Sequence, residues 1–332
     1  MYLVSVLVPV YGVEKYIERC ARSLFEQTYQ NLEFVFVDDC SRDKSIELLS
    51  TIINDYPDRK SQLRIIRHEK NRGLAAVRNT AVQEAKGDFV CHVDSDDYIE
   101  PNTIEIMVNV QMKNHSDIVS VGAYQHLKGK VMLVRQFDSD NKEQQLLSIL
   151  QRNVNHTIWG RLIRLSLYKD YSIMNKEGFN MGEDCMTTPR LVYYAESVSS
   201  ISTPLYHYNL SRDDSMCAQY FMDNSPTSWE EDIANYESIV DFFDDKEDVY
   251  KDASRKMVIS VLEEYLRLCA YYGHKQLFDK IKKTLLIKYG TNLSVIGWNH
   301  FAKRNMMGNY VLCRSYQRYP SIRRLYGFLI NK

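Results

Sequence analysis

Three carboxylates occupy four consecutive positions. Asp94, Asp96 and Asp97, with Ser95 between them, directly follow the apolar run Phe89–Val93. Such a run predicts a buried strand, and unpaired carboxylates at its end are too costly to bury. Their oxygens are preferred ligands of hard cations such as Mg²⁺ and Mn²⁺, which often complete their shell with substrate phosphates. This DSDD stretch therefore predicts a divalent-metal site, and the alternative is a solvated acidic turn.

The elements around the DSDD stretch predict where its side chains lie. The first hundred residues alternate between strand-like and helix-like hydrophobic patterns. These predict strands at 3–8, 32–37, 63–67 and 89–93 and helices at about 14–27, 43–54 and 73–86. Repeated strand–helix units with unalternated apolar strands predict a mostly parallel sheet flanked by helices. Right-handed crossovers place all the carboxyl ends at one edge, where open α/β sheets bind ligands. Asp38 and Asp39 end the second strand and should meet the DSDD stretch there, which argues against a solvated turn.

The rest of the chain predicts a change from a mixed pattern to helices. Residues 118–133 look strand-like with a turn at 128–130, and 142–151 look helical. A helix follows Trp159 within 157–170, and 206–208 read as an edge strand. Beyond about 215 the periodicity predicts helices only, at 228–245, 249–271 and 274–288. We therefore predict an α/β domain over residues 1–215 and a helical C-terminal region over 216–332.

The composition narrows the class of protein. With 45% hydrophobic and 26% charged residues, the 332-residue chain is typical of globular proteins rather than disordered ones. Its seven scattered cysteines lack metal-finger spacing, which favours a reducing, cytoplasmic setting. A strand-like segment directly after Met1 argues against a signal peptide, and no apolar run approaches the roughly 20 residues that span a bilayer.

An ordered set of motifs resembles the bacterial family 2 glycosyltransferases, which have a GT-A fold. The set covers about residues 1–210 and comprises Val8–Tyr11, Ser23–Thr28, Val37–Asp43, Asn71–Gly73, Arg78–Asn79, Gly87–Asp88, Asp94–Asp97 (the family's DXD motif) and Gly182–Asp184. In that family these segments bind a nucleotide-diphosphate sugar, usually a UDP-sugar. The resemblance implies a GT-A catalytic domain over 1–215, and the C-terminal third carries no family signature.

The resemblance gives the residues of the base pocket their roles. Pro9, Val10 and Tyr11 would line the pocket, and Asp39 would accept a hydrogen bond from the uracil imide. A fixed carboxylate suits that task because an unmatched base would leave it unpaired. The alternative from the residues alone is that Asp39 belongs to the N-cap region of the following helix.

The resemblance also divides the DSDD stretch. Asp94, with Ser95, would face the ribose, Asp96 would coordinate Mn²⁺ or Mg²⁺, and Asp97 would support the site from behind. The metal would offset the charge that develops on the departing nucleoside diphosphate.

Two arginines are further candidate contacts of the nucleotide-sugar donor, and two other positions depart from the family pattern. Arg72 and Arg78 are candidate ribose or phosphate contacts, although Arg78 could instead lie on a solvated helix face. Gly12 stands where the family usually has Asn, and Cys40 stands where it has Gly. Both departures leave the chemistry intact but bear on which donor is bound.

Asp184 matches the family's catalytic base. It would deprotonate the acceptor hydroxyl, which then attacks the anomeric carbon in line and inverts its configuration. Glu183 beside it and partial burial should raise the pKa of this base towards neutrality. Glu183 itself would orient a loop or contact the acceptor. The alternative is that residues 178–185 form a loop with two exposed acids.

Two ring-bearing residues stand where relatives place further contacts. Trp159 would stack on an acceptor sugar, and His207 is a further candidate metal ligand. From the residues alone, core packing of Trp159 is an equally strong interpretation. A packed or hydrogen-bonded His207 is the stronger interpretation of that residue.

The charges are unevenly distributed along the chain. The net charge is −1, but residues 1–279 carry 31 basic and 43 acidic side chains, whereas residues 280–332 carry eleven basic and no acidic ones. Basic, aromatic-rich residues 301–332 are typical of segments that lie on anionic membranes. The alternative is a solvated helix over the acidic side of the catalytic domain. Nucleic acid is disfavoured because residues 1–279, at −12, would repel it.

Together these features predict a metal-dependent, inverting glycosyltransferase. It would move a sugar from a UDP-sugar to a hydroxyl of a glycan or lipid-linked acceptor in capsular, exopolysaccharide or lipopolysaccharide synthesis. We expect it in the cytoplasm, peripheral on the inner face of the cell membrane. A sugar-1-phosphate nucleotidyltransferase would need a glycine-rich loop after the first strand, which Val10–Val13 is not. A non-catalytic carbohydrate-binding or scaffold protein predicts loss of Asp96 or Asp184, and both are present.

Overall fold

The computed structural model describes residues 1–127, 129–134, 139–179, 181–211 and 225–291. The chain divides into two compact units, Met1–Arg212 and Asp213–Lys332. No helix in the described ranges is both long and apolar enough to cross a membrane.

The first unit is built on one nine-stranded sheet with helices between the strands. The strands are β1 (Val4–Val10), β2 (Leu32–Asp38), β3 (Leu63–Arg67), β4 (Phe89–His92), β5 (Tyr98–Ile99), β6 (Ile118–Leu127), β7 (Lys130–Val134), β8 (Arg161–Arg164) and β9 (Val198–Asn209). The helices are α1 (Ile17–Phe25), α2 (Ser45–Ile52), α3 (Leu74–Glu84), α4 (Thr103–Asn114), α5 (Lys142–Leu150), α6 (Leu165–Asp170) and α7 (Glu183–Tyr194), with two short 3-10 helices at Ile53–Asp55 and Pro57–Gln62. The sheet order is β3-β2-β1-β4-β8-β6-β9-β5, and β7 pairs with β6.

The first four strands are parallel, as predicted. All seven residues of β2 are buried, which explains its unalternated apolar sequence. The β1–β2 register runs to Val10 opposite Asp38, and the β1–β4 register to Leu7 opposite His92. The residues that follow β1, β2 and β4 therefore come to one edge of the sheet.

The other half of the sheet is mixed. β8 runs antiparallel between β4 and β6, and β9 runs parallel to β6. The strand predicted at the sheet edge, residues 206–208, instead belongs to β9, which lies between β6 and β5. This prediction was wrong because β5 is only two residues long and leaves no periodic signal. The pairing matters for the site, because β9 runs beside the DSDD stretch.

The second unit contains three described helices, α8 (Pro226–Phe243), α9 (Asp248–Tyr272) and α10 (Lys275–Ile287). They agree with the three predicted helices. α9 packs against both neighbours along an apolar stripe that includes Val258, Val261 and Leu262. The basic segment predicted to contact membranes, 301–332, lies outside the described residues.

Candidate active site

Asp39, which follows β2, organises the loop that leads into α3. It is buried, and its Oδ1 contacts His68 Nδ1 at 2.7 Å and accepts from the Arg72 backbone N–H at 2.9 Å. Its Oδ2 accepts from the Gly73 backbone N–H at 2.7 Å. Since a carboxylate has about four acceptor positions, these three contacts leave one position on Oδ2, and its use by a uracil N–H stays a prediction. The N-cap alternative is not supported, because these contacts join Asp39 to the loop before α3 and not to α2.

The loop after β1 presents Tyr11 at the same edge. Tyr11 is 50% exposed, whereas Val10 is buried and Pro9 half-buried. Gly12 has a φ of 65° and donates its N–H to Ser41 Oγ at 3.0 Å. Glycine tolerates this left-handed conformation, and Asn is among the other residues that adopt it. The departure at Gly12 therefore fits the backbone.

The DSDD stretch is held from behind by β9. Asp97 is fully buried and accepts from the Tyr206 hydroxyl at 2.7 Å and from the Asn209 backbone N–H at 2.8 Å. Burial and the charges of Asp96 and Asp94 raise the pKa of Asp97 well above its ordinary range. These contacts rule out a simple solvated turn and agree with the supporting role predicted for Asp97. The sequence did not indicate Tyr206 or Asn209, because no local motif marks them.

The carboxylate oxygens of the DSDD stretch are suitable ligands for a hard cation. Asp94 and Asp96 are half-buried carboxylates, and the resemblance to the family predicts Asp96 as the metal ligand. No cluster of three or more His, Cys, Asp or Glu side chains in the described ranges is arranged as a ready metal site. A cation held by one or two carboxylates would complete its shell with the phosphates of a donor, as Mg²⁺ commonly does. The metal prediction remains a prediction.

Arg78 lies at the centre of a buried ionic cluster. Its Nη2 donates to Asp94 Oδ1 at 3.0 Å and its Nε to Glu183 Oε1 at 3.1 Å, and Nε is 3.9 Å from Asp184 Oδ1. Its side chain is only 4% exposed. The solvated-face interpretation of Arg78 is therefore wrong. Direct contact of Arg78 with the sugar donor is not supported, because its side chain is buried and its Nη2 and Nε are engaged with carboxylates. Instead, Arg78 links the end of β4 to the start of α7.

Glu183 and Asp184 form the first turn of α7. Gly182, with a φ of 73°, starts this helix, and negative charge is favourable at a helix N-terminus. Glu183 is buried, so the alternative of a loop with two exposed acids is wrong. Asp184 also receives hydrogen bonds from the Ile158 backbone and the Glu183 side chain.

The two acids of α7 have raised pKa values. Burial, with the neighbouring charge of Asp184, raises the pKa of Glu183 to about 8. Burial also raises the pKa of Asp184, while the Arg78 guanidinium opposes the rise. A protonated Glu183 can donate a hydrogen bond to Asp184, which favours the ionised form of Asp184. Two adjacent carboxyl groups with different protonation states suit a proton-transfer site.

Polar contacts attach the segment before α7 to α3 and the loop that leads into it. Arg72 Nη2 donates to Glu177 Oε1 at 2.6 Å across 105 residues of sequence. Asn79 Nδ2 donates to the Asn175 carbonyl at 2.9 Å, and the Asn175 N–H donates to Asn79 Oδ1 at 2.8 Å. The Arg72 side chain remains 37% exposed beside this ion pair, and its contact with a ribose or phosphate stays a prediction.

The structure does not support acceptor stacking by Trp159. It is 3% exposed and stacks on Tyr206 with ring centroids 4.4 Å apart. The core-packing interpretation therefore fits better.

Metal ligation by His207 is not supported either. Its Nε2 contacts Glu100 Oε1 at 2.8 Å and its Nδ1 contacts His126 Nε2 at 2.9 Å. Its ring also stacks on Tyr98, with the centroids 4.1 Å apart. Both ring nitrogens are thus engaged with protein groups, as the hydrogen-bonded interpretation predicts.

Comparisons with known proteins identify the family of this chain. The family model for glycosyl transferase family 2 matches residues 5–181. The chain is 29% identical over 334 residues to the putative glycosyltransferase EpsH of Bacillus subtilis strain 168, covering 96% of this chain and 93% of that protein. It is 30% identical over 213 residues to the poly(ribitol-phosphate) beta-N-acetylglucosaminyltransferase TarS of Staphylococcus aureus strain Mu50, covering 63% of this chain and 36% of that protein.

A solved structure shares the fold. The crystal structure of S. aureus TarS 1–349 in complex with UDP-GlcNAc matches with a TM-score of 0.69 at 22% identity, covering 95% of this chain and 92% of that one. The mixed sheet flanked by helices and the helical C-terminal region are therefore a GT-A architecture. Because the family model spans more than half of the chain, this protein is a glycosyltransferase and belongs to glycosyl transferase family 2.

Proposed function

We propose that the protein transfers a sugar from a UDP-sugar to a hydroxyl of a glycan or lipid-linked acceptor, with inversion at the anomeric carbon. The transfer would take place during the synthesis of a cell-surface polysaccharide. The observation that carries this proposal is the Arg78 bridge. One buried guanidinium joins Asp94, on the donor side, to Glu183 and Asp184 at the start of α7. The donor-binding residue Asp94 and the proposed catalytic base Asp184 would thus both lie next to the Arg78 side chain.

On the donor side, the exposed Tyr11 ring would stack on the base, and the remaining acceptor position of Asp39 would receive its imide N–H. Asp94 and Ser95 would face the ribose. The UDP-GlcNAc complex of TarS supports a uridine donor. Asp96 would hold Mn²⁺ or Mg²⁺, which would supply charge stabilisation to the leaving diphosphate.

On the acceptor side, Asp184 would accept the proton of the attacking hydroxyl. The oxygen would form a bond to the anomeric carbon as the bond from that carbon to the diphosphate oxygen breaks. The nucleoside diphosphate would leave with the electron pair, and attack from the opposite face inverts the configuration. Glu183, protonated, would donate to Asp184 and keep it ionised until the proton arrives.

The proposal includes the class of the acceptor and the place in the cell where the protein acts. Relatives include an enzyme named for a poly(ribitol-phosphate) acceptor, which supports a cell-surface polymer or its lipid-linked precursor. The basic, aromatic residues 301–332 would bring the protein to the inner face of the membrane, where such precursors are made. Contact with nucleic acid is not part of this proposal.

Donor screening tests the proposed function. Thermal shift and hydrolysis would be measured with UDP-, GDP- and TDP-sugars, with and without Mn²⁺. We expect stabilisation by a UDP-sugar that depends on the metal. Asp96→Asn should lose the metal-dependent part while keeping the melting temperature of the free protein. If no nucleotide sugar stabilises the protein in the presence of metal, the proposal is wrong.

A further inference from the structure

A small cavity lies beside the candidate base. Its volume is about 10 Å³, and its lining includes Arg78, His92, Tyr168, Asp184 and Thr187. A space of about this size holds a single water when enough polar groups surround it. The cavity therefore fits one water, provided that its lining offers hydrogen-bond partners.

Three buried polar atoms of the lining residues have no hydrogen-bond partner among the described protein groups. They are Arg78 Nη1, His92 Nδ1 and Asp184 Oδ1. Buried polar atoms are nearly always satisfied by protein or by ordered water. The other nitrogens of Arg78 are engaged with Asp94 and Glu183, so Nη1 is the one that remains. The three residues that carry these atoms all line the same cavity.

The hydrogen bonds behind the cavity determine where the His92 proton lies. Within the described ranges, the buried Tyr168 hydroxyl has one hydrogen-bond partner, His92 Nε2 at 3.1 Å. A buried phenol normally donates its proton, so Nε2 accepts and the ring carries its own proton on Nδ1. Burial lowers the pKa of His92 well below its ordinary value, and the Arg78 charge adds to this. The ring is therefore neutral and offers one donor at Nδ1.

We propose that one water in this cavity accepts hydrogen bonds from Arg78 Nη1 and His92 Nδ1 and donates one to Asp184 Oδ1. His92 is then a positioning residue, because it acts on the carboxylate only through the water. The arrangement orients Asp184 and favours its ionised form, since a hydrogen bond donated to a carboxylate stabilises the negative charge. This inference rests on the proposed role of Asp184 as the base.

Three substitutions of His92 separate positioning from packing. His92→Asn keeps an N–H near the place of Nδ1, His92→Gln keeps a group near Nε2 for Tyr168, and His92→Leu fills the space without either. We expect His92→Asn to retain most of kcat, and His92→Gln and His92→Leu to lose roughly tenfold to a hundredfold, as when a hydrogen bond to a charged group is lost. The KM for the donor should stay unchanged in all three.

A packing role predicts the opposite order, with His92→Leu or His92→Gln more active than His92→Asn, and that result would overturn the inference. Ser116→Ala is the matched control. It removes a buried hydroxyl that contacts Ser199 Oγ at 2.6 Å. Ser116 lies just before β6 and does not line the cavity. The kcat of Ser116→Ala should equal that of the wild type.

A high-resolution crystal structure of the full chain gives a readout that does not need activity. We expect a water peak within hydrogen-bond distance of all three atoms in the wild type and in His92→Asn, and no water contacting Asp184 there in His92→Leu. Absence of the peak in the wild type would overturn the inference. If the wild type transfers sugar from no donor, the proposed function fails, and the water peak still decides whether this site exists.

Discussion

At the residue scale, the site depends on the compensation of buried charge. Arg78 is one cation among Asp94, Glu183 and Asp184, so the cluster carries excess negative charge when all three acids are ionised. Burying such charge is unfavourable unless it is paired or neutralised by a proton. The raised pKa of Glu183 is the expected response, because protonating this acid removes one negative charge.

The pKa of Glu183 predicts a pH-dependent stability. Its value is about 8 in the folded protein, against an ordinary 4.5, so between these values the folded state keeps a proton that the unfolded state has lost. The stabilisation is full below about pH 4.5 and is lost as the pH rises to about 8, at no more than about 1.4 kcal/mol per pH unit. Glu183→Gln does not titrate. The melting temperature of this variant, relative to the wild type, should therefore rise between about pH 5 and pH 9. A constant difference would contradict the raised pKa.

The residues of this cluster show what the sequence could and could not predict. Local motifs mark Asp94, Glu183 and Asp184 as candidate site residues. Arg78 was identified but given contacts with ribose or phosphate, because its partners at the start of α7 are 105 residues away. No sequence pattern connects His92 with Asp184, although both line one cavity. Tertiary pairings of single polar side chains leave no periodic signal.

At the element scale, the parallel half of the sheet was predictable and the mixed half was not. β1, β2 and β4 are buried and mostly apolar, so their composition predicts them as strands, whereas β3 has no buried residue and contains two arginines. β8 is a four-residue strand that contains two arginines, and it was predicted only as a lead into a helix. Its antiparallel pairing between β4 and β6 places β9 near the DSDD stretch, which is how Tyr206 and Asn209 reach Asp97.

The turn after β2 offers a test of local strain. Cys40 has a φ of 60°, a conformation that costs an ordinary residue about 1–2 kcal/mol. Glycine relieves this strain, although its freedom in the unfolded chain offsets about 0.4–1 kcal/mol. Cys40→Gly should therefore raise the free energy of unfolding by up to about 1.6 kcal/mol. Thermal unfolding would measure this, with Cys40→Ser as a control that keeps the strain. A glycine variant less stable than the serine variant would contradict the prediction.

At the scale of the whole molecule, positive charge is concentrated at the C-terminal end. Eleven Lys and Arg residues and no acids lie between 280 and 332. Within the described part of this region, α10 exposes Leu286 (44%) and Ile287 (74%), close in sequence to Lys282, Lys283 and Lys288. Exposed apolar side chains among lysines are typical of surfaces that contact anionic lipid.

Vesicle binding tests the proposed membrane contact. The full chain should sediment with phosphatidylglycerol vesicles, not with phosphatidylcholine vesicles, and should be released by high salt because screening weakens the attraction. Each basic residue contributes about 1 kcal/mol near such a surface. A variant with glutamine at the six basic positions between 301 and 331 should therefore lose binding; these are Lys303, Arg304, Arg314, Arg318, Arg323 and Arg324. Unchanged binding of the variant would contradict a role of residues 301–332 in membrane contact, and a wild type that does not bind would contradict the membrane contact itself.

Asp184 is the proposed base of an inverting transfer. The most direct test of this role is the anomeric configuration of the product, measured by NMR for the wild type and for Asp184→Asn with the donor that the screen identifies. We predict a product inverted relative to the donor in the wild type. In the variant, kcat should fall by roughly 10²–10⁴-fold, as expected when a general base is lost, while donor binding is unchanged. A product with retained configuration, or a variant as active as the wild type, would contradict the account.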